Sequence, residues 1–257
     1  MINEGYSPTL EQAITLISSS NQISVLTGAG ISTSSGIPDF RTSGTGLWEK
    51  ADPMDAISLK NFYKNPDILY TWLHPFAKQL IQAEPNMAHT VLAKMEKNKI
   101  ISSVITQNID DLHHQAGNQN IIELHGNIKK WQCLNGHTIP EDNAIFESFC
   151  KTADKPLCPI CNRILKPAIV FFEESLPLSD WEKAYDEART CDLMIVIGSS
   201  LIVSPANELP YTAIQNGAKL MIINLSNTPL DPYANIVIHE DAVKVMSEME
   251  KGLELLQ

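Results

Sequence analysis

A doubly wound α/β fold, with a parallel sheet covered by helices on both faces, is predicted by three features of the sequence. Six short runs rich in Ile and Val recur at residues 23–27, 100–106, 121–124, 193–197, 220–223 and 235–238. Their apolar residues are consecutive rather than alternating, as in strands buried on both faces. Amphipathic stretches at 9–20, 87–97, 206–216 and 241–256 accompany the runs, so strand and helix patterns alternate as a parallel sheet requires. Five runs also end on small or polar residues: Gly28-Ala29-Gly30, Gln107-Asn108-Ile109-Asp110, His125-Gly126, Gly198-Ser199-Ser200 and Asn224. Ligands of open α/β sheets bind outside the carboxyl ends of the strands, where helix N-termini meet phosphates, so these endings point at one crevice.

The Gly28-Ala29-Gly30 turn permits a tight bend and close backbone approach to a diphosphate. It lacks the third glycine of the dinucleotide fingerprint, since Thr33 stands there, and no obvious acid follows about 20 residues on. Residues 31–41 gather Ser, Gly and Pro and end in Asp39-Phe40-Arg41. That is a loop able to cover a ligand, with a ring face and a cation for anionic oxygens; the alternative is a solvated loop with one buried Phe. Residues 42–86 carry Trp48, Phe62, Tyr63, Tyr70, Trp72 and Phe76 without strand-like runs and are expected to form a helical insertion. His113 and His114 fall in a helix after the second run, in a surface or core role. His125 ends the third run, where an imidazole at the sheet edge can accept a proton near neutral pH.

Four of the five cysteines (Cys133, Cys150, Cys158 and Cys161) lie within residues 133–161, in a stretch poor in large aliphatics. This suits a metal-stabilised lobe in a reducing compartment better than a disulfide framework. Cys191, just before a core strand, is expected to be a buried small hydrophobe. The expected division is therefore a sheet domain in three parts, 1–41, 87–128 and 166–257, with a small lobe made of the helical insertion 42–86 and the metal ribbon 129–165.

Composition bounds the function. A chain of 257 residues can bury roughly 70–75% of its unfolded surface and needs no staples to fold. The net charge of −11 argues against a general nucleic-acid or anionic-membrane binder. The start, MINEGYSPTLEQAITL, has no basic region before an apolar one, and no apolar run approaches the ~20 residues needed to span a bilayer, so a cytoplasmic protein is expected.

The strings GAGISTSSGIPDFR (28–41), TQNIDDLHHQAG (106–117), LHG (124–126), GSSLIVSPA (198–206) and IINL (222–225) resemble the sirtuin family of NAD-dependent protein deacylases in residues and spacing. The resemblance implies a Rossmann-like NAD-binding domain with an inserted zinc ribbon and helical lobe. It implies that Gly28, Ala29, Gly30 and Thr33 lie along the diphosphate of NAD, with Asp39, Phe40 and Arg41 over the reacting ribose. Gln107, Asn108, Ile109 and Asp110 would hold the nicotinamide ribose and carboxamide, and Gly198, Ser199, Ser200, Asn224, Leu225, Asp241 and Ala242 the adenosine half. The catalytic residues implied are His125 as general base, Asn108 and Asp110. The implied reaction is a group transfer that consumes NAD: the acyl oxygen of an acylated lysine attacks the ribose as nicotinamide leaves, and the ribose 2′-hydroxyl, deprotonated by His125, resolves the adduct. Free lysine, nicotinamide and O-acyl-ADP-ribose result.

The run 166–177 resembles the family's substrate-pairing segment, implying that Val170, Phe172 and Glu173 meet an extended peptide; without that context it would be a buried strand. The family usually has Gly where Glu173 stands, and the glutamate either crowds the peptide or favours basic flanking residues. In the branch that removes acidic acyl groups, a Tyr and an Arg follow an Asn-Pro pair; counting from Asn65-Pro66 puts Leu73 and Phe76 there, so neutral acyl groups, acetyl first, are expected. The family norm of two Cys-x-x-Cys knuckles is kept only at Cys158–Cys161, since Gly136 takes the place of the second cysteine after Cys133. The fourth zinc ligand is then His137, with Cys150 or an incomplete site as alternatives. Two other functions compete with deacylation: NAD glycohydrolysis or ADP-ribosyl transfer in the same pocket, and non-catalytic NAD sensing.

Overall fold

The computed structural model describes residues 8–39 and 56–254. Its strands are β1 (Ile23–Thr27), β2 (Ser103–Thr106), β3 (Ile121–Glu123), β4 (Gly126–Gln132), β5 (Lys166–Ile169), β6 (Leu193–Ile197), β7 (Lys219–Ile223) and β8 (Ile236–Ile238). Six of them form one parallel sheet in the order β3-β2-β1-β6-β7-β8, the doubly wound order with its direction of winding reversed between β1 and β6. All six predicted runs are present.

Every residue of β1 and β6 is buried, and successive side chains serve opposite faces. Val25 and Ile195 pack in one core with Leu10, Ile14 and Ile17 of helix α1 (Pro8–Ser18). Leu26 and Val196 pack in the other. The first face is completed by the two helices running Met87–Lys97 and Ala242–Glu254, and the second by those running Leu178–Thr190 and Glu208–Gln215. The Leu178–Thr190 helix was not expected from sequence, because the stripe it turns to the sheet, Trp181, Ala184 and Ala188, contains no Leu, Ile or Val.

The remaining elements share a third core. Helix α2 (Leu59–Lys64), α3 (Pro66–Leu80), the antiparallel pair β4–β5 and the helix at Ala144–Thr152 bury Phe62, Tyr70, Phe76, Trp131, Phe146, Phe149 and Phe171 together. Edge-to-face rings carry much of this packing: Tyr70 and Phe149 are 5.5 Å apart, Phe62 and Phe171 5.9 Å, Trp131 and Phe149 6.0 Å. Two pieces of chain separated in sequence by β2, β3 and the Met87–Lys97 helix thus fill a single interior. Among the described residues no helix is long and apolar enough to cross a membrane.

Candidate functional site

The carboxyl ends of the parallel strands and the loop after β5 line one crevice of about 1380 Å³. That exceeds the roughly 300–1,000 Å³ of an ordinary small-molecule pocket and leaves room for a dinucleotide together with part of a second substrate.

At the switch point the turns after β1 and β6 lie backbone on backbone. The Gly28 N–H donates to the Ile197 carbonyl at 3.0 Å and the Gly30 N–H to the Gly198 carbonyl at 2.8 Å. Gly198 has φ +64°, and a Cβ there would lie 2.2 Å from the Ile31 nitrogen; Cβ atoms on Gly28 or Gly30 would lie 2.8 Å from the Gly198 carbonyl oxygen. The glycines are therefore required first by the contact of one turn with the other, and only then by approach of a ligand.

His125 is half-buried at the end of β3, with Nδ1 2.9 Å from the Gln107 carbonyl oxygen. A carbonyl only accepts, so Nδ1 carries the proton and Nε2 is the free basic nitrogen. Burial lowers the pKa of this imidazole, more than the Gln107 contact raises it, which keeps the ring neutral and able to accept a proton. Gln107 is itself placed by donation from Nε2 to Ser199 Oγ at 2.9 Å.

Behind this wall lies a buried network centred on Ser32. Its hydroxyl accepts from Asn108 Nδ2 at 3.1 Å and donates to Asp110 Oδ2 at 2.7 Å. Asp110 Oδ1 accepts the Leu112 N–H at 3.0 Å, and burial raises the Asp110 pKa. His89 stands 3.4 Å from Ser32 through Nε2, and its Nδ1 accepts the Asn86 N–H, closing the capping box of the Met87–Lys97 helix. The His113 ring packs edge-on to His89 at 4.9 Å, and Thr27 Oγ1 lies 2.9 Å from its Nε2. Desolvation pushes His89 down to about 4 and His113 to about 3, so both are neutral.

In the small lobe, Cys133, His137, Cys158 and Cys161 bring one donor atom each within 4.8 Å of one another. Cys133 Sγ is 3.4 Å from His137 Nδ1 and 3.6 Å from Cys161 Sγ, and Cys158 Sγ is 3.6 Å from His137 Nδ1. Tetrahedral zinc at about 2.3 Å from sulfur and about 2.0 Å from nitrogen sets its ligands about 3.5–3.8 Å apart, so this Cys3His set fits the ion. Cys150 is instead buried in the aromatic core, its thiol 3.5 Å from the Ala77 carbonyl oxygen.

Residues 28–205 match the model of the Sir2 family. The chain belongs to the Sir2 family. It is 44% identical over 232 residues to NAD-dependent protein deacetylase 2 of Caldanaerobacter subterraneus subsp. tengcongensis, covering 90% of this chain and 91% of that one. With the NAD-dependent protein deacetylase of Thermotoga maritima it shares 40% over 247 residues, 95% and 98% of the two chains. A solved Sir2 complex with a p53 peptide and NAD+ superposes with a TM-score of 0.83 at 38% identity, over 95% of this chain and 98% of that one.

Most of the residues singled out from the sequence of this Sir2 chain line the crevice: Gly28, Ala29, Gly30, Thr33, Asp39, Gln107, Asn108, Ile109, His125, Gly198, Ser199, Ser200, Asn224, Leu225, Asp241 and Ala242 on the sheet side, with Val170, Phe172 and Glu173 on the loop. Phe40 and Arg41 lie outside the described residues. Asp110 does not line the crevice; it is 4% exposed, with both carboxylate oxygens engaged beneath the floor. Leu73 and Phe76, 0% and 4% exposed, belong to the small-lobe core, and the crevice residue of α3 is Trp72. The reason is the helical period, which sets neighbouring positions about 100° apart and turns only one toward the opening. Sequence reasoning passed over Ser32 and His89; Ser32 stood inside the quoted string and His89 opens a helix three residues after Asn86, a capping pattern that could have drawn attention to it.

Proposed function

We propose that this Sir2 chain removes acyl groups, acetyl first, from protein lysines with consumption of NAD, and that the crevice residues named above divide between NAD and the acyl-lysine. The observation that carries this reading is His125: its Nε2 is the basic nitrogen of a crevice walled by the segment from Ile169 to Leu176, apolar from Ile169 to Phe172, a feature that a hydrolase of free NAD would not need. NAD, when bound, supplies a ribose carbon that accepts the acyl oxygen as nicotinamide departs. The chain's own groups do the rest. The turns Gly28-Ala29-Gly30 and Gly198-Ser199-Ser200, with Thr33, form the face that meets the nucleotide. Asn108, fixed by Nδ2 donation to the Gly28 carbonyl at 3.1 Å, positions the ribose, and His125 Nε2 takes a hydroxyl proton. Asp110 acts through Ser32 and Asn108, holding the floor rather than touching the ligand.

Ile57, Trp72, Ile109, Ile169 and Phe171 give the acyl group an apolar surround in which no described lining residue is Lys or Arg. An acidic acyl carboxylate would be buried there without a partner, which supports neutral acyl groups. Residues 56–86 and 129–165 are read as one small lobe, with Cys133, His137, Cys158 and Cys161 as ligands of a structural zinc; the start of the expected helical insertion, 42–55 with Trp48, lies outside the described residues. Thiols arranged to hold a metal suit the reducing cytoplasm.

The test is product mass. Incubated with NAD and an acetyl-lysine peptide, the protein should yield O-acetyl-ADP-ribose and nicotinamide only when peptide is present. ADP-ribose and nicotinamide formed at the same rate without peptide would refute deacylation.

A further inference from the structure

Glu173 stands at the centre of the loop that follows β5, where its backbone takes φ +69°. That is the left-handed region, where any residue but Gly carries a cost of about 1 kcal/mol or more. The loop does not move to relieve it, because it is tied on three sides. The Val170 N–H donates to the His125 carbonyl at 2.9 Å, the Phe172 N–H to the Ile57 carbonyl at 2.9 Å, and the Glu174 N–H to the Phe171 carbonyl at 3.0 Å.

The two carboxylates of the loop have opposite fates. Glu174 turns inward, accepting the Phe171 N–H at 2.7 Å and pairing with Lys166 Nζ at 2.9 Å; that lysine is 1% exposed and lies 3.8 Å from the centre of the Phe171 ring. Glu173 turns outward, exposed on the crevice wall, with no hydrogen-bond or ion-pair partner among the described residues. The Lys166–Glu174 pair therefore neutralises one charge and fixes the loop, leaving the other at the mouth without a partner among the described residues. No described lining residue supplies a cation to it.

We infer that Glu173 is a specificity-determining residue that selects substrates with a Lys or Arg beside the acylated lysine. The inference rests on the deacylase reading above and adds the substrate's charge to it. A backbone fixed on the crevice wall roots a solvated carboxylate beside the substrate's path, where it attracts an incoming cationic side chain and repels an anionic one. Because the pair would be partly exposed, its contribution is that of a surface ion pair, about fivefold at most.

The experiment measures kcat/KM, by mass of deacetylated product, for three peptides differing only in the residue flanking the acetyl-lysine: Arg, Gln or Glu. The native protein should favour Arg over Gln by about three- to fivefold and Gln over Glu by a similar factor, both ratios shrinking in high salt. Glu173→Lys should reverse the order, and Glu173→Gln should bring the ratios close to one. Equal turnover of all three peptides by the native protein overturns the inference while leaving deacylation intact. So does an unchanged ranking in Glu173→Lys, which would assign the preference to the chain's overall negative charge. Absence of deacetylated product from every peptide would instead overturn the deacylase reading itself.

Discussion

The two lobes solve the problem of positioning in different ways. The sheet lobe places its groups with backbone: strand ends, two interlocked glycine turns and a network of short hydrogen bonds around Ser32, over cores that run the length of α1 and the parallel strands. The small lobe has only a two-stranded sheet and relies on an aromatic interior and a set of thiol and imidazole donors. One is held by extended burial, the other by a few large rings and a clamp. Order in the second should therefore depend on metal, and order in the first should not.

Metal removal is the sharpest way to break that contrast. Chelation should disorder the small lobe, read as loss of near-ultraviolet dichroism from Trp131 and its neighbours, while far-ultraviolet dichroism from the sheet lobe largely persists and turnover is lost. Loss of both signals together would mean that the lobes are one cooperative unit. In the sheet lobe, His125→Ala should lower turnover by roughly 10²–10⁴-fold without moving the unfolding midpoint, and retention of more than a tenth of the rate would exclude it as the base. Gly198→Ala should destabilise the sheet lobe by at least about 3 kcal/mol in urea unfolding, since it combines a positive φ with a contact 2.2 Å from the Ile31 nitrogen.

Smaller effects concern pH and sulfur. His89 and His113 are held neutral, at about 4 and about 3, against an ordinary value of 6.5. The unfolded chain then binds the extra protons, so their stabilisation is complete above pH 6.5 and is lost as pH falls toward 4, at about 1.4 kcal/mol per pH unit for each ring once the unfolded forms are protonated. Urea midpoints constant from pH 7 to 4.5 would contradict this. The base at His125 is depressed as well, so the acid limb of kcat/KM should lie below pH 6.5, with activity falling as the ring gains its proton. Cys150→Ala should cost about 1 kcal/mol and leave bound zinc unchanged, whereas His137→Ala should lower it; zinc lost from the first variant would exchange the two roles.

What the sequence made legible follows the same division. Strands buried on both faces announce themselves as unbroken Ile and Val runs, and their small-residue ends located the crevice. The Leu178–Thr190 helix escaped because the face it turns to the sheet is made by Trp181, Ala184 and Ala188, without the branched aliphatics that mark the other helices. Asp110 was placed with the ligand by resemblance; its carboxylate bonds the Leu112 amide two residues on, a local turn, and the Ser32 hydroxyl, which comes from a distant turn of chain that the sequence does not connect to it. Leu73 and Phe76 were assigned by counting from Asn65-Pro66, and counting alone does not say which side of a helix meets the opening. The choice of His137 over Cys150 came from ligand spacing, and the positions of their donor atoms agree with it.

The strand order also governs when each part can form. β1 pairs with β6, so the centre of the sheet joins residues 23–27 to residues 193–197, and the turn at Gly28 has no partner turn until Gly198 exists. The small-lobe core, by contrast, draws on nothing beyond Phe171. On a chain emerging from the ribosome, the lobe that presents the substrate loop has all its pieces first, and the nucleotide crevice closes only when more than three-quarters of the chain has been made.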